Sequence, residues 1–162
     1  MSKGFSILEL VITLAIVGLI SSLAIPNMDS WQAKRSFDNA RDDLSRALVF
    51  MRAESKIRST TTRIVITQSD DDYTIEGYYY TDGGDTACDG TGSWTQNYNE
   101  TIEMHSSFEM TGTGVDDDVC FNRDGTATSA VFNILQKDGN TDLGSVTMTI
   151  FLATGFIDIV DN

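Results

Sequence analysis

The sequence predicts an α+β fold, in which a long N-terminal α-helix packs on an antiparallel β-sheet. Residues 1–58 hold only two of the 13 glycines and carry an apolar run followed by apolar side chains at three- and four-residue steps. After residue 62 the apolar period changes to two, which is typical of strands. Ten glycines lie beyond residue 81, where turns are therefore expected. These observations indicate a helical front and a β-rich back.

The first predicted element, residues 5–25, has the length and apolar character of a transmembrane helix. At 1.5 Å per residue this 21-residue segment spans about 30 Å, the thickness of the hydrocarbon core of a bilayer. It is longer than the apolar region of an ordinary secretory signal, and no clean small-x-small cleavage site follows it. We therefore expect a helix that is retained. Its polar or charged side chains are Ser6, Glu9, Thr13, Ser21 and Ser22.

The helix is predicted to continue over residues 26–58 as an amphipathic second half, because charged side chains fill the positions between its apolar ones. Pro26 removes a backbone hydrogen bond and is expected to kink the helix near the membrane exit. The roughly 100 residues that follow cannot cover a helix of about 80 Å. Its first half must therefore contact lipid or other subunits. The apolar stripe of the second half consists of Trp31, Phe37, Ala40, Leu44, Leu48 and Met51.

Residues 59–162 are predicted to form a β-rich globular domain. A hairpin is expected across the Asp70-Asp71-Asp72 turn, joining residues 63–67 to residues 73–78. The stretch from Thr81 to Tyr98 is polar, rich in glycine and without clear periodicity, which predicts a loop. Further strands are predicted at residues 119–121, 128–135, 145–151 and 156–160.

The charge distribution argues against nucleic acid as a partner. The formal net charge is −13, and eight of the 11 basic residues lie between residues 34 and 63. From residue 64 onward 18 acidic side chains face only Arg123 and Lys137, a local net charge of −16. Such a surface repels a phosphate backbone. The simplest role of this acidity is to keep the domain soluble.

The two cysteines, Cys88 and Cys120, are expected to form a disulfide. With an N-terminal membrane segment, the back of the chain is expected to face an oxidising compartment, where two cysteines tend to pair. Two buried free thiols are the alternative.

No cofactor or metal is expected. The sequence has one histidine, His105, and no Cys-x-x-Cys spacing. Acidic clusters at residues 70–72, 82–89 and 116–118 leave calcium as an alternative, although none follows the EF-hand order and aspartate is common in turns. The sequence contains no nucleophile elbow. The glycine-containing stretch at residues 81–85 is not a phosphate-binding loop, because it has no lysine. The chain is therefore not expected to be an enzyme.

Glu9 is the one charge in the apolar segment. Ser6-x-x-Glu9 fits a capping box, and a carboxylate in the first turn of a helix complements the helix dipole. Capping boxes lie in water, however. Placing a carboxylate within a membrane costs free energy, so a carboxylate in a membrane segment indicates a functional role. Both interpretations remain open on the residues alone.

The segment Gly4-Phe5-Ser6-Ile7-Leu8-Glu9-Leu10 resembles the N-terminus of type IV pilins and of type II secretion pseudopilins. Precursors of that superfamily carry a short basic leader ending in Gly, then Phe, then a carboxylate at the fifth mature position. Lys3, Gly4, Phe5 and Glu9 match this pattern, and Pro26 falls where many pilins have a helix-bending proline. The resemblance implies the pilin fold and a structural subunit.

The resemblance also implies site residues. Residues 1–4 are the expected leader, cut after Gly4 by prepilin peptidase, with N-methylation of the new terminus at Phe5. Glu9 is expected to pair with the Phe5 amine of a neighbouring subunit during assembly, where opposite charges offset the cost of burial. An accidental glycine before a signal anchor is the alternative.

The expected location is the bacterial inner membrane, with a single pass and the C-terminal domain in the periplasm, followed by a pilus or pseudopilus at the cell surface. The expected partners are other pilin or pseudopilin subunits, prepilin peptidase, the inner-membrane assembly platform and membrane lipid.

A second likeness covers the back of the chain. Residues 121–125 and 150–159 resemble the paired strand–glycine motifs of GspH/FimT-type minor pilins, although that subfamily often has Arg where this chain has Phe156. The likeness implies a minor subunit that acts in filament initiation or at the tip. The alternatives are a major pilin, a tip module for adhesion or DNA uptake, and a plain signal-anchored periplasmic protein.

Overall fold

The computed structural model describes residues 6–24, 26–69, 72–82, 88, 91–103, 108–114, 118–138 and 141–161. The chain divides into two structural units, Met1–Arg35 and Ser36–Asn162. Gly4 and Phe5, on which the predicted cleavage falls, lie outside the described residues, as does His105.

Two helices form the front of the chain: α1 is Ile7–Ala24 and α2 is Pro26–Arg58. The helix predicted over residues 5–58 is described as α1 and α2, and residue 25 between them lies outside the described residues. The kink at Pro26 stays a prediction.

The end of α2 follows from the conformation of Ser59. Its φ of 53° is left-handed, and this reverses the chain just after Arg58. The Ser59 amide donates to the Lys56 carbonyl at 3.3 Å, and the Thr60 amide donates to the Ser55 carbonyl at 3.1 Å. This pair of bonds is the Schellman motif, which satisfies carbonyls that the helix would leave unpaired.

In the part of the chain that the structure describes, eight antiparallel strands form two four-stranded sheets. The first sheet has the order β3-β2-β1-β5 and the second β4-β6-β7-β8. The fold class predicted from the sequence is confirmed, and the sheet order, which the sequence left open, is now defined. The strands are β1 Thr62–Ser69, β2 Asp72–Tyr80, β3 Trp94–Glu103, β4 Phe108–Gly112, β5 Val119–Phe121, β6 Ala130–Asp138, β7 Thr141–Ile150 and β8 Ile157–Asp161.

The predicted β1–β2 hairpin is confirmed, with Ile66 opposite Ile75. The predicted loop from Thr81 to Tyr98 is wrong at its end, because Trp94 begins β3, which pairs with β2. As an edge strand of mostly polar side chains, β3 shows no alternation that would reveal it. The short strand β4 was not predicted either.

The core of the second unit lies between α2 and both sheets. The buried face of α2 packs with Ile64 and Ile75 of the first sheet and with Phe132 and Met148 of the second, all with no solvent exposure. The predicted stripe therefore holds, except that Trp31, in the first unit, is 57% exposed and stacks under the Arg35 guanidinium at 5.3 Å. The buried residues of α2 in this core are Ala40, Leu44, Ala47, Leu48 and Met51.

Candidate functional site

The N-terminal end of α1 is capped by Ser6. The Ser6 hydroxyl accepts the Leu8 amide at 3.3 Å, and its carbonyl accepts the amides of Glu9 and Leu10 at 3.0 and 3.2 Å. The hydroxyl thus bonds to the second helical residue, where the predicted capping box has a bond to the third. Glu9 lies in the first turn of α1 with an exposed side chain. The carboxylate therefore stands at the positive end of the helix dipole.

The surface of α1 is apolar on all sides. Ten of its large apolar side chains are between 50 and 85% exposed in the isolated chain, and Glu9 is its one charged residue. Exposing apolar surface to water costs about 25 cal/mol per Å². Gly18 has no neighbouring atom within 4 Å of an added Cβ, so a partner helix has room to approach there. A helix with this surface is expected to contact another apolar surface.

Within the part of the chain that the structure describes, no helix is both long enough and apolar enough to cross a membrane. Phe5 and Ile25, the two ends of the predicted transmembrane segment, lie outside the described residues.

The predicted disulfide is present between Cys88 and Cys120, whose Cα atoms are 5.9 Å apart. Cys120 is the buried central residue of β5, and Cys88 lies in the segment between β2 and β3. The bond therefore fastens that segment to the far edge of the first sheet.

Beside the disulfide, Arg63 lies between two aromatic rings. Its guanidinium carbon is 4.9 Å from the ring centres of Tyr78 and Trp94, and Nη1 donates to Asp118 at 3.1 Å. Trp94 also packs on Tyr80 at 5.5 Å. Sequence reasoning counted Arg63 only as one of many basic residues. The contacts of Arg63 join residues 15 to 55 positions apart, and no local sequence pattern predicts them.

The two strand–glycine motifs of the back half meet in space. The Ala127 amide donates to the Leu152 carbonyl at 3.0 Å. Gly155 has a left-handed φ of 56°, and a Cβ there would lie 2.5 Å from the Gly125 carbonyl oxygen. Arg52 of α2 donates from Nη2 to the Thr154 carbonyl at 2.9 Å. The end of α2 and both motifs therefore form one structural cluster.

Polar side chains of α2 and β3 lie close together. Asn97 of β3 donates to Glu54 of α2 at 3.2 Å. The Tyr98 hydroxyl donates to Glu100 within β3, and Arg46 donates to Asp43 within α2 at 2.6 Å. Burial and the bond to Glu100 raise the pKa of Tyr98 well above its ordinary value. Burial, with the nearby carboxylate of Glu100, raises the pKa of Asp43 above its ordinary value.

The residues that the structure describes give little support for a metal or ligand site. Among the residues that the structure describes, no three His, Cys, Asp or Glu side chains are grouped so that they could hold a metal ion. Most aspartates of the three acidic clusters lie outside those residues, and Asp118 is paired with Arg63. An open groove of about 500 Å³ runs beside α2, lined by Asp42, Ser45, Arg46, Val49 and Phe50.

Comparison with known proteins gives the fold a precedent. No protein-family model matches the chain, and no curated protein matches it by sequence. The crystal structure of the type IV minor pilin FimU from Pseudomonas aeruginosa matches with a TM-score of 0.56 and 16% identity, over 83% of this chain and 92% of that one. The minor pseudopilin EpsH from the type 2 secretion system of Vibrio cholerae matches with a TM-score of 0.52 and 12% identity, over 80% and 96%.

At these identities the likeness establishes the fold. The chain has the α+β fold of pilins and pseudopilins, a helix packed on antiparallel sheets, as the N-terminal resemblance implied.

Proposed function

We propose that this chain is a minor pilin or pseudopilin, a subunit that polymerises through its N-terminal helix. The observation that carries the proposal is α1, an exposed apolar helix with one carboxylate at its capped N-terminus, on a chain with the pilin fold. A helix of this kind is stable only when lipid or other helices cover it. Both solved structures that match are minor subunits, which favours that role over a major pilin.

The precursor enters the inner membrane through residues 5–25 and places its C-terminal domain in the periplasm. Support for this step comes from the amino-acid sequence, in which that run contains one charge. Prepilin peptidase then cuts after Gly4, and the new terminus at Phe5 is N-methylated. Intact-mass measurement and N-terminal sequencing of the protein from its membrane test both events. A chain that keeps residues 1–4 would refute the processing step.

Glu9 sets the register of assembly by pairing with the Phe5 amine of a neighbouring subunit. The pair transfers both charges out of water together, which costs less than burying either alone. In the isolated chain the Glu9 side chain is exposed and available for such a pair.

Replacing Glu9 by glutamine separates the assembly role from the capping role. Gln keeps the size of the side chain and its capacity to cap, but removes the charge. We expect Glu9→Gln to lower incorporation into filaments by about tenfold or more, because one buried partner is lost, while the amount in the membrane fraction stays the same. The measurement is quantitative immunoblotting of sheared filaments against membranes.

Ser6→Ala is the matched control for this experiment. It removes the hydroxyl that accepts the Leu8 amide and leaves the charge in place. If the cap alone mattered, Ser6→Ala would reduce incorporation and Glu9→Gln, which keeps the cap, would not, and the assembly role of Glu9 would be wrong.

The subunit acts in filament initiation or at the tip, together with the inner-membrane assembly platform. The likeness of residues 121–125 and 150–159 to minor-subunit motifs and the two minor-subunit neighbours support this position. Deleting the chain should reduce the number of filaments rather than their length. Immunogold labelling along the whole shaft would contradict a tip position.

A further inference from the structure

The outer face of the first sheet is the side that points away from the core. On β1 and β2 the buried side chains of Ile64, Ile66, Tyr73 and Ile75 alternate with side chains that are exposed or half-buried. The strand register places these outer side chains in cross-strand rows. We call the following residues of this face the platform: Arg63 opposite Tyr78, Tyr80 opposite Trp94, Tyr78 opposite Gln96, Glu76 opposite Asn99, and Thr74 opposite Thr101.

One end of the platform is aromatic. The ring centres of Tyr80 and Trp94 are 5.5 Å apart with their planes inclined by 58°, and Arg63 stacks on Trp94 and on Tyr78. Gly92 packs on the Tyr80 ring, since a Cβ there would lie 2.7 Å from Cε2, and its φ of 92° suits glycine. The three rings are half-buried. Each ring is therefore held in place by its neighbours and keeps part of its surface open to a ligand.

The other end of the platform is polar. Glu76 accepts the Tyr78 hydroxyl and the Gln96 side-chain amide, both at 3.0 Å. A carboxylate offers about four lone-pair positions, so Glu76 can accept further bonds from a ligand. Asn99 and residue 101 are exposed on the neighbouring strand. From Thr74 to Tyr80 the platform covers about 20 Å along β2, the length of a short oligomeric ligand.

The composition of the platform indicates the class of ligand. Among the described residues, the exposed large apolar side chains lie in the two helices, in the turn between β7 and β8 and in β8, and none lies in the first sheet. A protein interface has an apolar, fully buried centre, whereas the platform places its rings among carboxylate, amide and hydroxyl groups. The Arg63 charge is paired with Asp118, and the chain from residue 64 onward has a net charge of −16. Anionic ligands are therefore repelled.

We propose that the platform binds a neutral oligosaccharide. A sugar ring presents an apolar face of C–H groups, which packs on the electron-rich face of an aromatic ring. Its hydroxyl groups exchange hydrogen bonds with carboxylates and amides. Tyr80 and Trp94 supply the first kind of contact, and Glu76, Gln96 and Asn99 supply the second. Because protein contacts already hold the rings and the carboxylate, binding costs little ordering entropy. The inference does not depend on the proposed function, since no platform residue lies in α1.

Tryptophan fluorescence of the full-length chain tests binding directly. The sequence has two tryptophans, so Trp31→Phe leaves Trp94 as the single reporter. The protein is kept in octaethylene glycol dodecyl ether, because a detergent with a sugar headgroup would compete. The neutral probes are N-acetylchitotetraose and cellotetraose, and tetragalacturonate is the anionic probe of the same length. We expect a saturable change with at least one neutral probe, with a dissociation constant of about 1 mM or lower, and none with tetragalacturonate.

Calorimetric titration of single variants locates the site. Trp94→Ala removes a ring and should weaken binding about tenfold. Gln96→Ala removes an exposed amide and should weaken it about fivefold. Thr95→Ala is the matched control and should change nothing, because Thr95 is exposed on β3 but points to the opposite face of the strand. Thermal melting checks the fold of each variant. If Trp94→Ala fails to fold, Gln96→Ala and Asn99→Ala, whose side chains are exposed, still test the site.

Three results would overturn the proposal. The first is the absence of saturable binding of either neutral probe, or binding that none of the platform variants weakens. The second is tighter binding of tetragalacturonate than of the neutral probes, which would contradict the choice of an uncharged ligand. The third is Trp94 fluorescence that responds to protein concentration and not to sugar, which would make the platform a contact between protein molecules.

Discussion

Arg63 illustrates how much one side chain can organise in this protein. Its planar guanidinium stacks on Tyr78 and Trp94 and pairs with Asp118, so it joins β1, β2, β3 and the residue before β5. A lysine, with a compact charge and no planar face, cannot make the same set of contacts. The interaction is partly shielded from water, which makes it stronger than an exposed ion pair. Arg63 thus holds the first sheet together across three strands.

Ser59 is a residue whose replacement should stabilise the protein. Its left-handed φ of 53° is unfavourable for a residue with a Cβ and costs glycine nothing. We expect Ser59→Gly to raise the free energy of unfolding by about 0.5–1 kcal/mol. This gain is smaller than the strain that the substitution relieves, because glycine has greater conformational freedom in the unfolded chain. Urea unfolding measures the change. Ser59→Ala keeps the strain and should give no gain; equal stabilisation by both variants would contradict the explanation.

Tyr98 predicts a dependence of stability on alkaline pH. Burial and the bond to Glu100 raise its pKa above the ordinary 10.0 in the folded chain. The folded state therefore keeps a proton that the unfolded state releases, so this contribution is complete below pH 10 and is lost as the pH rises further. We expect the unfolding free energy of the wild type to fall more steeply above that pH than that of Tyr98→Phe. Equal slopes in urea titrations of the two proteins would show that Tyr98 is not responsible.

At the scale of elements, the disulfide stabilises the first sheet against unfolding. Cys88 and Cys120 are 32 positions apart, and closing a loop of that length stabilises a fold by about 3–4 kcal/mol in the chain-entropy model. Reductant should therefore lower the urea midpoint of the wild type by a corresponding amount. The double variant Cys88→Ser, Cys120→Ser should start at the lower midpoint and not respond to reductant. An unchanged wild-type midpoint would mean that the bond contributes nothing.

Elements with a strong apolar period could be predicted from the sequence. The stripe of α2 and the hairpin of β1 and β2 repeat every three to four or every two residues, and the structure has both. β3 could not be found, because its apolar side chains Trp94, Tyr98 and Ile102 recur every four residues and leave no period of two. The same holds for the candidate sites. Glu9 and the two cysteines were found from local sequence, but the contact of Gly125 with Gly155 depends on tertiary packing.

At the scale of the whole molecule, the chain separates surfaces of different character. Residues up to Arg35 carry an exposed apolar helix, and residues from Ser36 contain a complete core. Eight basic residues lie between residues 34 and 63, followed by a strongly acidic β domain. Like-charged β domains repel one another, so association through the apolar helix and the basic region is favoured over association through acidic faces. The proposed assembly uses the apolar helix α1.

This division predicts that residues 36–162 fold without the first unit. The clustered core begins at Ala40, and its other members all follow Ala40 in the chain, so a chain beginning at Ser36 keeps all of it. We expect its melting temperature to stay within about 5 °C of that of the full-length protein in detergent, which corresponds to about 1 kcal/mol for a domain of this size. Thermal unfolding followed by circular dichroism measures it.

A chain beginning at Ser45 is the matched control for that truncation. It loses Ala40 and Leu44, both fully buried against the sheets, and with them the first turns of the buried face of α2. The cavity and the lost apolar contacts should cost about 3 kcal/mol or more, enough to lower the melting temperature by well over the change seen for the Ser36 chain. If the Ser36 chain were as unstable as the Ser45 chain, the β domain would depend on the first unit for its fold. Filament incorporation should be abolished in both, because each lacks the apolar helix that the proposed polymer requires.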